Sequence, residues 1–464
     1  MEKLLKKCGL YQAYSKKKRD HYYSIGIRKV MRIYNRKLDS YDKDCYQHRI
    51  LVVGYLGRPK KKFFYRRLYF LKKEWQDTEI VMLDEVTFAS NYLGVYGYNV
   101  LKMPSFNEGL KFCHVDAEEM KREIEEKQYL QNAIQNEILR GMDRDDAEKS
   151  IYLKYLYYKK AVEKIQPDYI MLWNKFSSEH SVMDNICKEK NIKVIYIEYG
   201  LLPGTFCLEE LGQMGESVPA VCPEDFKKQS VTEDELKEAE AIWEYLRTSG
   251  INRNTQINDD IVGKVSCQIK KDRPIILYAG NYDFDCGIVP YTEDARKYHS
   301  PNFESSHDAM LYLADLAKRN DWNLIYKPHP IMVRKTEIAN IPENVIYVPE
   351  GNLNDLIDYS DLVVTLMSQT AYVSCIRNTA TLMLGYNQLK NKGCVYEAYS
   401  LESIESEIKT AIENGFTELQ RNNFKIHIAQ LCKYYLFDGS TETDEKHFGR
   451  DEKELGNYIR GHLS

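Results

Sequence analysis

A lysine and a histidine alternate with prolines just after a short apolar run, in the segment Lys327-Pro-His-Pro330. The apolar run, residues 322–326, predicts a strand that ends immediately before this segment. Proline restricts its own backbone and that of the preceding residue, so the two prolines fix the imidazole of His329. A histidine held in this way can donate to a nucleotide phosphate or ribose, and Lys327 adds positive charge. The alternative is a rigid turn with an incidental histidine.

Ser368 follows another predicted strand, residues 362–366, and precedes a predicted helix, residues 369–377. Its hydroxyl can cap that helix, and the N-terminus of a helix attracts anions. A plain cap explains Ser368 when it is considered alone. With His329 in the same half of the chain, phosphate binding becomes the better interpretation.

Carboxylates follow other predicted strands. Glu198 ends the run 194–197, and Gly200 permits a sharp turn that exposes the carboxylate at the sheet edge. Such a group can act as general base on an acceptor hydroxyl or attack a sugar as nucleophile, whereas an ion-paired Glu is the alternative. Asp283 and Asp285 alternate after the run 274–278, where they could bind a metal or sugar hydroxyls or form a solvated turn.

Four further residues are weaker candidates for a binding site. Glu209 and Glu210 lie in the segment after Gly200, and Glu210 is also a reserve carboxylate. Trp173 ends the predicted strand 168–173 and Asn174 follows it, and Trp173 is expected to belong to the core or to a cleft wall.

Several protein classes lack support in the sequence. There is no Walker A segment, no Gly-x-Gly-x-x-Gly after a strand, no Gly-x-Ser-x-Gly and no His-Glu-x-x-His. The eleven cysteines have no metal-binding spacing, which predicts free thiols in a reducing cytosol. The sequence has no signal-peptide pattern and no long apolar run, so any membrane contact is expected to be peripheral.

Alternating strand and helix patterns predict two α/β domains, each a doubly wound Rossmann-like sheet, which face a cleft. We place the first domain at residues 1–245, with a basic N-terminal extension and a helical insertion at about 116–164. The second occupies residues 255–464 and ends in helices. The Gly- and Pro-rich segment 200–223 is expected to be loop, and residues 250–258 a linker.

Five segments together resemble the bacterial capsule polysaccharide biosynthesis and export proteins, a family that includes Kdo (3-deoxy-D-manno-octulosonic acid) transferases. The resemblance covers about residues 165–400 and depends on the order of the short motifs. The segments are Leu172-Trp-Asn174, Ile197-Glu-Tyr-Gly-Leu-Leu-Pro-Gly-Thr205, Gly280-Asn-Tyr-Asp-Phe-Asp285, Lys327-Pro-His-Pro330, and Ser368 followed by Leu384-Gly385.

The resemblance implies a glycosyltransferase-B fold, a CMP-activated acid sugar as donor, and no required cofactor or metal. The sequence is similar also to bacterial sialyltransferases. By this likeness His329 and Pro330 hold CMP, Ser368 and Thr370 hold its phosphate, and Glu198 with Gly200 forms the acidic motif. Gly280 and Asn281 join the donor side, while Trp173, Asn174 and Glu210 join the acceptor side. The sequence departs from the family pattern at Tyr199, where sialyltransferase-like relatives often carry the catalytic base, and at Lys175, where many relatives are expected to have a glycine.

Three functions therefore remain open. The leading one is transfer of Kdo or a related acid sugar to a glycolipid or oligosaccharide, the second is a teichoic-acid-type CDP-glycerol transferase, and the third is a non-catalytic capsule assembly or export factor. Residues 1–37 carry twelve Lys and Arg against two acidic residues, and a second basic cluster lies at 58–67. These clusters are typical either of contact with anionic lipid, here at the inner face of a bacterial cytoplasmic membrane, or of a solvated basic face. No nucleic-acid-binding motif accompanies them.

Overall fold

The computed structural model describes residues 11–54, 62–86, 98–104, 106–252, 259–335, 340–440 and 446–463. The described residues divide into two compact units. Unit 1 lies within residues 1–173, 177–195 and 458–464, and unit 2 comprises residues 174–176 and 196–457. The domain boundary predicted between residues 245 and 255, and the cleft, stay predictions.

Unit 1 is built on a sheet in the order β3-β2-β1-β4-β5, in which β1 pairs in parallel with β2 and β4, and β2 with β3. Its strands are β1 (His48–Gly54), β2 (Thr78–Val86), β3 (Asn99–Pro104), β4 (Tyr169–Trp173) and the start of β5 (Lys193–Tyr199). Its helices are α1 (Tyr11–Asp39), α2 (Lys62–Glu74), α3 (Phe106–Gly109), α4 (Ala117–Glu126), α5 (Gln128–Leu139), α6 (Arg144–Ile165) and α7 (Ser178–Glu189).

Unit 2 contains a six-stranded parallel sheet in the order β12-β11-β10-β7-β8-β9. The order starts in the middle at β7, runs outward to β9, and then returns to continue from β10 on the other side. This reversal is the Rossmann arrangement. The strands are β7 (Ile275–Ala279), β8 (Asn323–Lys327), β9 (Val345–Tyr347), β10 (Leu362–Thr365), β11 (Ala380–Met383) and β12 (Tyr396–Glu397).

Helices cover both faces of this sheet, because strands such as β10 are buried on both sides and alternate residues need a partner layer. Leu362 and Val364 pack in one apolar cluster, and Val363 packs in another. The helices of unit 2 are α8 (Val218–Val221), α9 (Pro223–Lys227), α10 (Glu233–Ser249), α11 (Ile261–Ser266), α12 (Glu293–Tyr298), α13 (Ser306–Asn320), α14 (Pro330–Lys335), α15 (Leu353–Asp358), α16 (Thr370–Ile376), α17 (Leu401–Asn414), α18 (Glu418–Gln430) and the first part of α19 (Glu452–Arg460).

The α/β class and the two Rossmann-like sheets are confirmed. One local expectation was wrong, because the segment 200–223 is not simply loop. It contains β6 (Thr205–Glu209), which pairs antiparallel with the end of β5 and with β13 (Leu436–Asp438). Gly and Pro at both ends of this stretch concealed five buried residues of strand. Most of the predicted linker, residues 253–258, lies outside the described residues.

Within the described part of the chain, no helix is both long and apolar enough to cross a membrane.

Candidate functional site

The candidate residues on the six-stranded sheet gather where its strand order reverses. At this point β7 and β10 are hydrogen-bonded neighbours, with Ala279 opposite Thr365. The Thr365 hydroxyl also donates to the Ala279 carbonyl at 2.9 Å. Gly280 and Asn281 leave β7 here, and Ser368 follows β10. Ligands of open α/β sheets bind outside the carboxyl ends of strands at such a reversal.

Lys327 is the last residue of β8 and lies opposite Ala279. Its side chain is only 8 % exposed, and among the described residues its ammonium group makes no hydrogen bond or ion pair. Burial lowers the pKa of Lys327, although the charges of Asp259 and Glu350 oppose the shift. A buried cation without a partner at a strand end is suited to an anionic ligand.

His329 is held by the backbone of the helix that follows it. Its Nδ1 accepts from the backbone N–H of Ile331 at 3.2 Å, so the proton of the neutral ring lies on Nε2. The ring also lies 5.8 Å from that of Tyr282, centroid to centroid. Pro330 opens α14 and is exposed. His329 can thus offer an oriented Nε2–H donor beside Lys327.

Asp283 and Asp285 have different environments. Asp283 is 3 % exposed, and both of its oxygens accept from Ser306 at the start of α13, from the backbone N–H at 2.9 Å and the hydroxyl at 2.6 Å. Burial raises the pKa of Asp283 to about 6, against the lowering effect of these hydrogen bonds. The Ser306 hydroxyl also accepts from the Asn281 N–H at 2.8 Å. Asp283 therefore anchors the loop, whereas Asp285 is only partly buried.

Ser368 forms a tight turn at the start of α16. Its Oγ accepts from the backbone N–H of Thr370 at 3.2 Å and lies 3.0 Å from the Thr370 hydroxyl. Gln369, rather than Ser368, stands at the cap position. The predicted pair of hydroxyls is thus adjacent in space, and its phosphate-binding role stays a prediction.

The acidic segment Glu198-Tyr199-Gly200 lies beside this turn. The Gln369 side chain donates to the Gly200 carbonyl at 3.0 Å. Gly200 must lack a side chain, because a Cβ there would lie 1.8 Å from Thr205 Oγ1. Glu198 is partly buried at the end of β5. Burial raises the pKa of Cys286, the residue after Asp285, and the charges of Asp283, Asp285 and Glu198 act in the same direction. Glu198, Asp285 and Ser368 thus belong to neighbouring segments of unit 2.

The candidate acceptor residues lie in several places. Trp173 belongs to unit 1, is 5 % exposed, and packs edge-to-face on Phe64 with centroids 6.4 Å apart. The side-chain amide of Asn174, in unit 2, donates to the Asp285 carbonyl at 3.2 Å. Glu210 is exposed just after β6. Their acceptor roles stay predictions.

Glu209, the weaker sequence candidate beside Glu210, is a buried carboxyl. It is 2 % exposed and accepts from the Tyr435 hydroxyl at 2.5 Å and from the Val218 N–H at 3.1 Å. Burial raises the pKa of Glu209 to about 8, and the charges of Glu198 and Glu210 act in the same direction. The sequence placed Glu209 in a loop, whereas it is the last residue of β6.

No protein-family model matches the chain, and neither does any curated protein. Similar solved structures include two from Thermosulfurimonas dismutans KpsC. The beta Kdo 2,7 transferase is 14% identical over 67% of this chain and 90% of its own, with a TM-score of 0.39. The beta Kdo 2,4 transferase is 15% identical over 57% and 79%, with a TM-score of 0.40. A trehalose-phosphate synthase (UDP-forming) from Burkholderia vietnamiensis is 11% identical over 83% and 93%, with a TM-score of 0.35.

The raised pKa of Glu209 makes the stability of the protein depend on pH. In the folded chain the carboxyl keeps its proton up to about pH 8, whereas in the unfolded chain it ionises near its ordinary 4.5. The free energy of unfolding of the wild type should therefore fall between these values by about 1 kcal/mol per pH unit relative to Glu209→Gln, which imitates the protonated form. Denaturant unfolding of both proteins across this range measures the difference. Glu238→Gln, at an exposed carboxylate of α10, is the control and should keep the wild-type pH dependence. A loss of that dependence equal to that in Glu209→Gln would contradict the assignment.

Proposed function

We propose that this chain is a glycosyltransferase of the glycosyltransferase-B type that acts in capsular or other surface polysaccharide synthesis. It transfers Kdo, or a related acid sugar, from a CMP donor to a lipid-linked or growing glycan acceptor. The observation that carries the proposal is the largely buried Lys327, whose ammonium has no hydrogen bond or ion pair among the described residues, with His329 two residues later next to the reversal of strand order. The motif resemblance described above supports the same donor.

The spacing between β8 and β10 suits a nucleoside monophosphate. β8 and β10 lie on either side of β7, so Lys327 and Ser368 follow strands that are about 10 Å apart. In the proposed complex Lys327 and His329 bind phosphate or ribose oxygens from one side. Ser368 and Thr370 bind from the other, and Gly280 with Asn281 lines the floor between them. Fixed donors of this kind stabilise the negative charge that develops on departing CMP.

The proposed reaction needs one base. The acceptor hydroxyl attacks the anomeric carbon, the bond from that carbon to the phosphate oxygen breaks, and CMP leaves with the electron pair. The acceptor proton passes to Glu198, which is the proposed base, with Asp285 as the second carboxylate. Asp283 is proposed to hold the loop, because Ser306 occupies both of its oxygens. Neither a cofactor nor a metal is required in this proposal.

Nucleotide binding tests the donor site. Lys327→Met should weaken CMP binding about tenfold or more, because a charge-assisted hydrogen bond to phosphate is lost. Since the pKa of Lys327 is lowered, CMP affinity of the wild type should fall as the pH rises through that lowered value, and the affinity of Lys327→Met should not. Calorimetry and saturation-transfer NMR with CMP, CDP-glycerol and UDP measure both effects.

Preference for CDP-glycerol would support the teichoic-acid-type alternative, and preference for UDP would exclude both cytidine donors.

Turnover separates the enzyme from a non-catalytic capsule assembly or export factor, which Tyr199 favours. With CMP-Kdo and a lipid-linked acceptor, the wild type should release CMP, and Glu198→Gln should release it at least about a hundredfold more slowly because the base is lost. Glu238→Gln, at an exposed carboxylate of α10, is the matched control. Equal rates for wild type and Glu198→Gln would show that Glu198 is not the base, and no release by either would favour the assembly factor.

The same proposal places the protein in the cytoplasm, at the inner face of the membrane that holds a lipid-linked acceptor. One face of helix α1 supports the proposed contact with the membrane. Ile25 is 51% exposed, and the side chains of Arg28, Lys29, Arg32 and Arg36 are exposed within a third of a turn of it. The acidic residues Asp20 and Asp39 are paired with Lys111 and Lys160. Arg58, Lys60 and Lys61 of the second basic cluster lie outside the described residues.

Vesicle binding tests this face of α1. Arg28→Gln/Arg32→Gln should bind phosphatidylserine-containing vesicles about thirtyfold more weakly than the wild type, at about 1 kcal/mol per basic residue. Lys121→Gln/Arg122→Gln changes the charge equally on the acidic helix α4 and should bind as the wild type does. Co-sedimentation at low and high salt measures binding. Equal binding to neutral vesicles, or tighter binding to duplex RNA than to anionic vesicles, would contradict the proposal.

A further inference from the structure

Three charged or titratable side chains meet in the interior of unit 2, away from the donor residues. Lys175 Nζ pairs with Glu216 Oε2, and His299 Nε2 lies 3.2 Å from Glu216 Oε1. The side chains of Lys175 and Glu216 are each 13% exposed, and that of His299 is 1% exposed. Glu216 thus bridges a lysine and a histidine that are distant from it in sequence.

The charge state of this network is defined by its contacts. Burial would raise the pKa of Glu216, but the hydrogen bond from His299 and the charge of Lys175 outweigh it and lower that pKa. His299 Nδ1 is buried without a hydrogen-bond partner among the described residues. Nε2 is therefore the ring nitrogen of His299 that faces a partner, Glu216 Oε1.

The backbone packs tightly around this network. A Cβ at Gly287, where φ is +85°, would lie 2.6 Å from His299 Nε2 and 2.8 Å from Phe176 Cε1. A Cβ at Gly385 would lie 2.4 Å from the His299 carbonyl oxygen. The segments around residues 287 and 385 can therefore approach His299 only because both positions are glycine.

Hydrogen bonds connect the backbone around Lys175 to the segments that carry both candidate carboxylates. The Gln213 side chain accepts from the Lys175 N–H at 2.7 Å and donates to the carbonyl of Ile197, the residue before Glu198, at 3.1 Å. On the other side of Lys175, Asn174 donates to the Asp285 carbonyl at 3.2 Å. The Lys175 backbone is thus fixed relative to the segments that carry Glu198 and Asp285.

We infer that Lys175, Glu216 and His299 form a positioning network that sets the relative placement of the Glu198 and Asp285 segments. A buried ion pair contributes little net stability because desolvation offsets the attraction, but it fixes geometry when hydrogen bonds complete it. Small displacements of catalytic groups reduce rates strongly. The catalytic meaning of the network rests on the proposed function, whereas its effect on the two segments does not.

Hydrogen exchange measured by mass spectrometry tests the placement directly. In Glu216→Gln, amides of residues 196–200 and 283–288 should exchange on the order of tenfold faster, because the network no longer restrains local opening. Lys175→Met removes the same ion pair from its other member and should act alike, while Lys175→Arg keeps the charge and should stay near the wild type. Asp358→Asn breaks the Arg377 pair in the same unit but at the amino ends of β10 and β11, and should leave both segments unchanged. Unchanged exchange in Glu216→Gln and Lys175→Met, or equal acceleration in Asp358→Asn, overturns the inference.

A kinetic measurement separates positioning from folding. With CMP-Kdo and the lipid-linked acceptor, kcat of Glu216→Gln should fall about tenfold to a hundredfold while KM for the donor changes less than about threefold, because the donor residues lie on other segments. Faster exchange with an unchanged kcat would overturn the positioning role. If the wild type releases no CMP, the proposed function fails, and the exchange result still decides whether the network holds the two segments.

Discussion

The reversal of strand order between β7 and β10 is the constraint on which the candidate site depends. All six strands of this sheet are parallel, so every connection must return to the amino edge before the next strand starts. The residues that follow the strands therefore all lie at the same edge of the sheet. At the reversal the connections from β7 and β10 leave on opposite sides, which opens space between them. The hydrogen bond from Thr365 to Ala279 fixes these two strands at that point. Residues that are far apart in sequence, such as Asn281, Lys327 and Ser368, therefore follow strands that lie side by side.

Polar groups at this edge divide into those that build the loops and those that remain available to a ligand. Asp283 belongs to the first kind, because Ser306 occupies both of its carboxylate oxygens. Lys327 belongs to the second, because its buried ammonium has no partner among the described residues. Both are charged groups that follow strands, and both have pKa values shifted by burial. The difference between them is hydrogen bonding, which separates a loop anchor from a ligand site.

The sequence predicted those parts of the fold that depend on local patterns. The runs 322–326 and 362–366 are confirmed as β8 and β10, and the predicted helix 369–377 is confirmed as α16, since short apolar runs and the helix that follows them have clear local patterns. β6 was missed because Gly and Pro surround it and its partner β13 is distant in sequence. The Lys175–Glu216–His299 network could not be predicted either, since its members are 41 and 83 residues apart and each alone resembles an ordinary surface residue. Asp283 and Asp285 look equivalent in sequence and are distinguished only by the position of Ser306.

The outermost strand β13 has a consequence for the integrity of the chain. β13 covers the free side of β6, and the π-helical turn Leu431–Tyr435 just before it delivers the Tyr435 hydroxyl to Glu209. A protease cut that released the chain from residue 431 onward would leave β6 as an exposed edge with unpaired N–H and C=O groups, a known template for aggregation. It would also remove the Tyr435 hydroxyl, which donates a hydrogen bond to Glu209. The last part of the chain therefore completes the edge of a strand that lies more than two hundred residues earlier in the sequence.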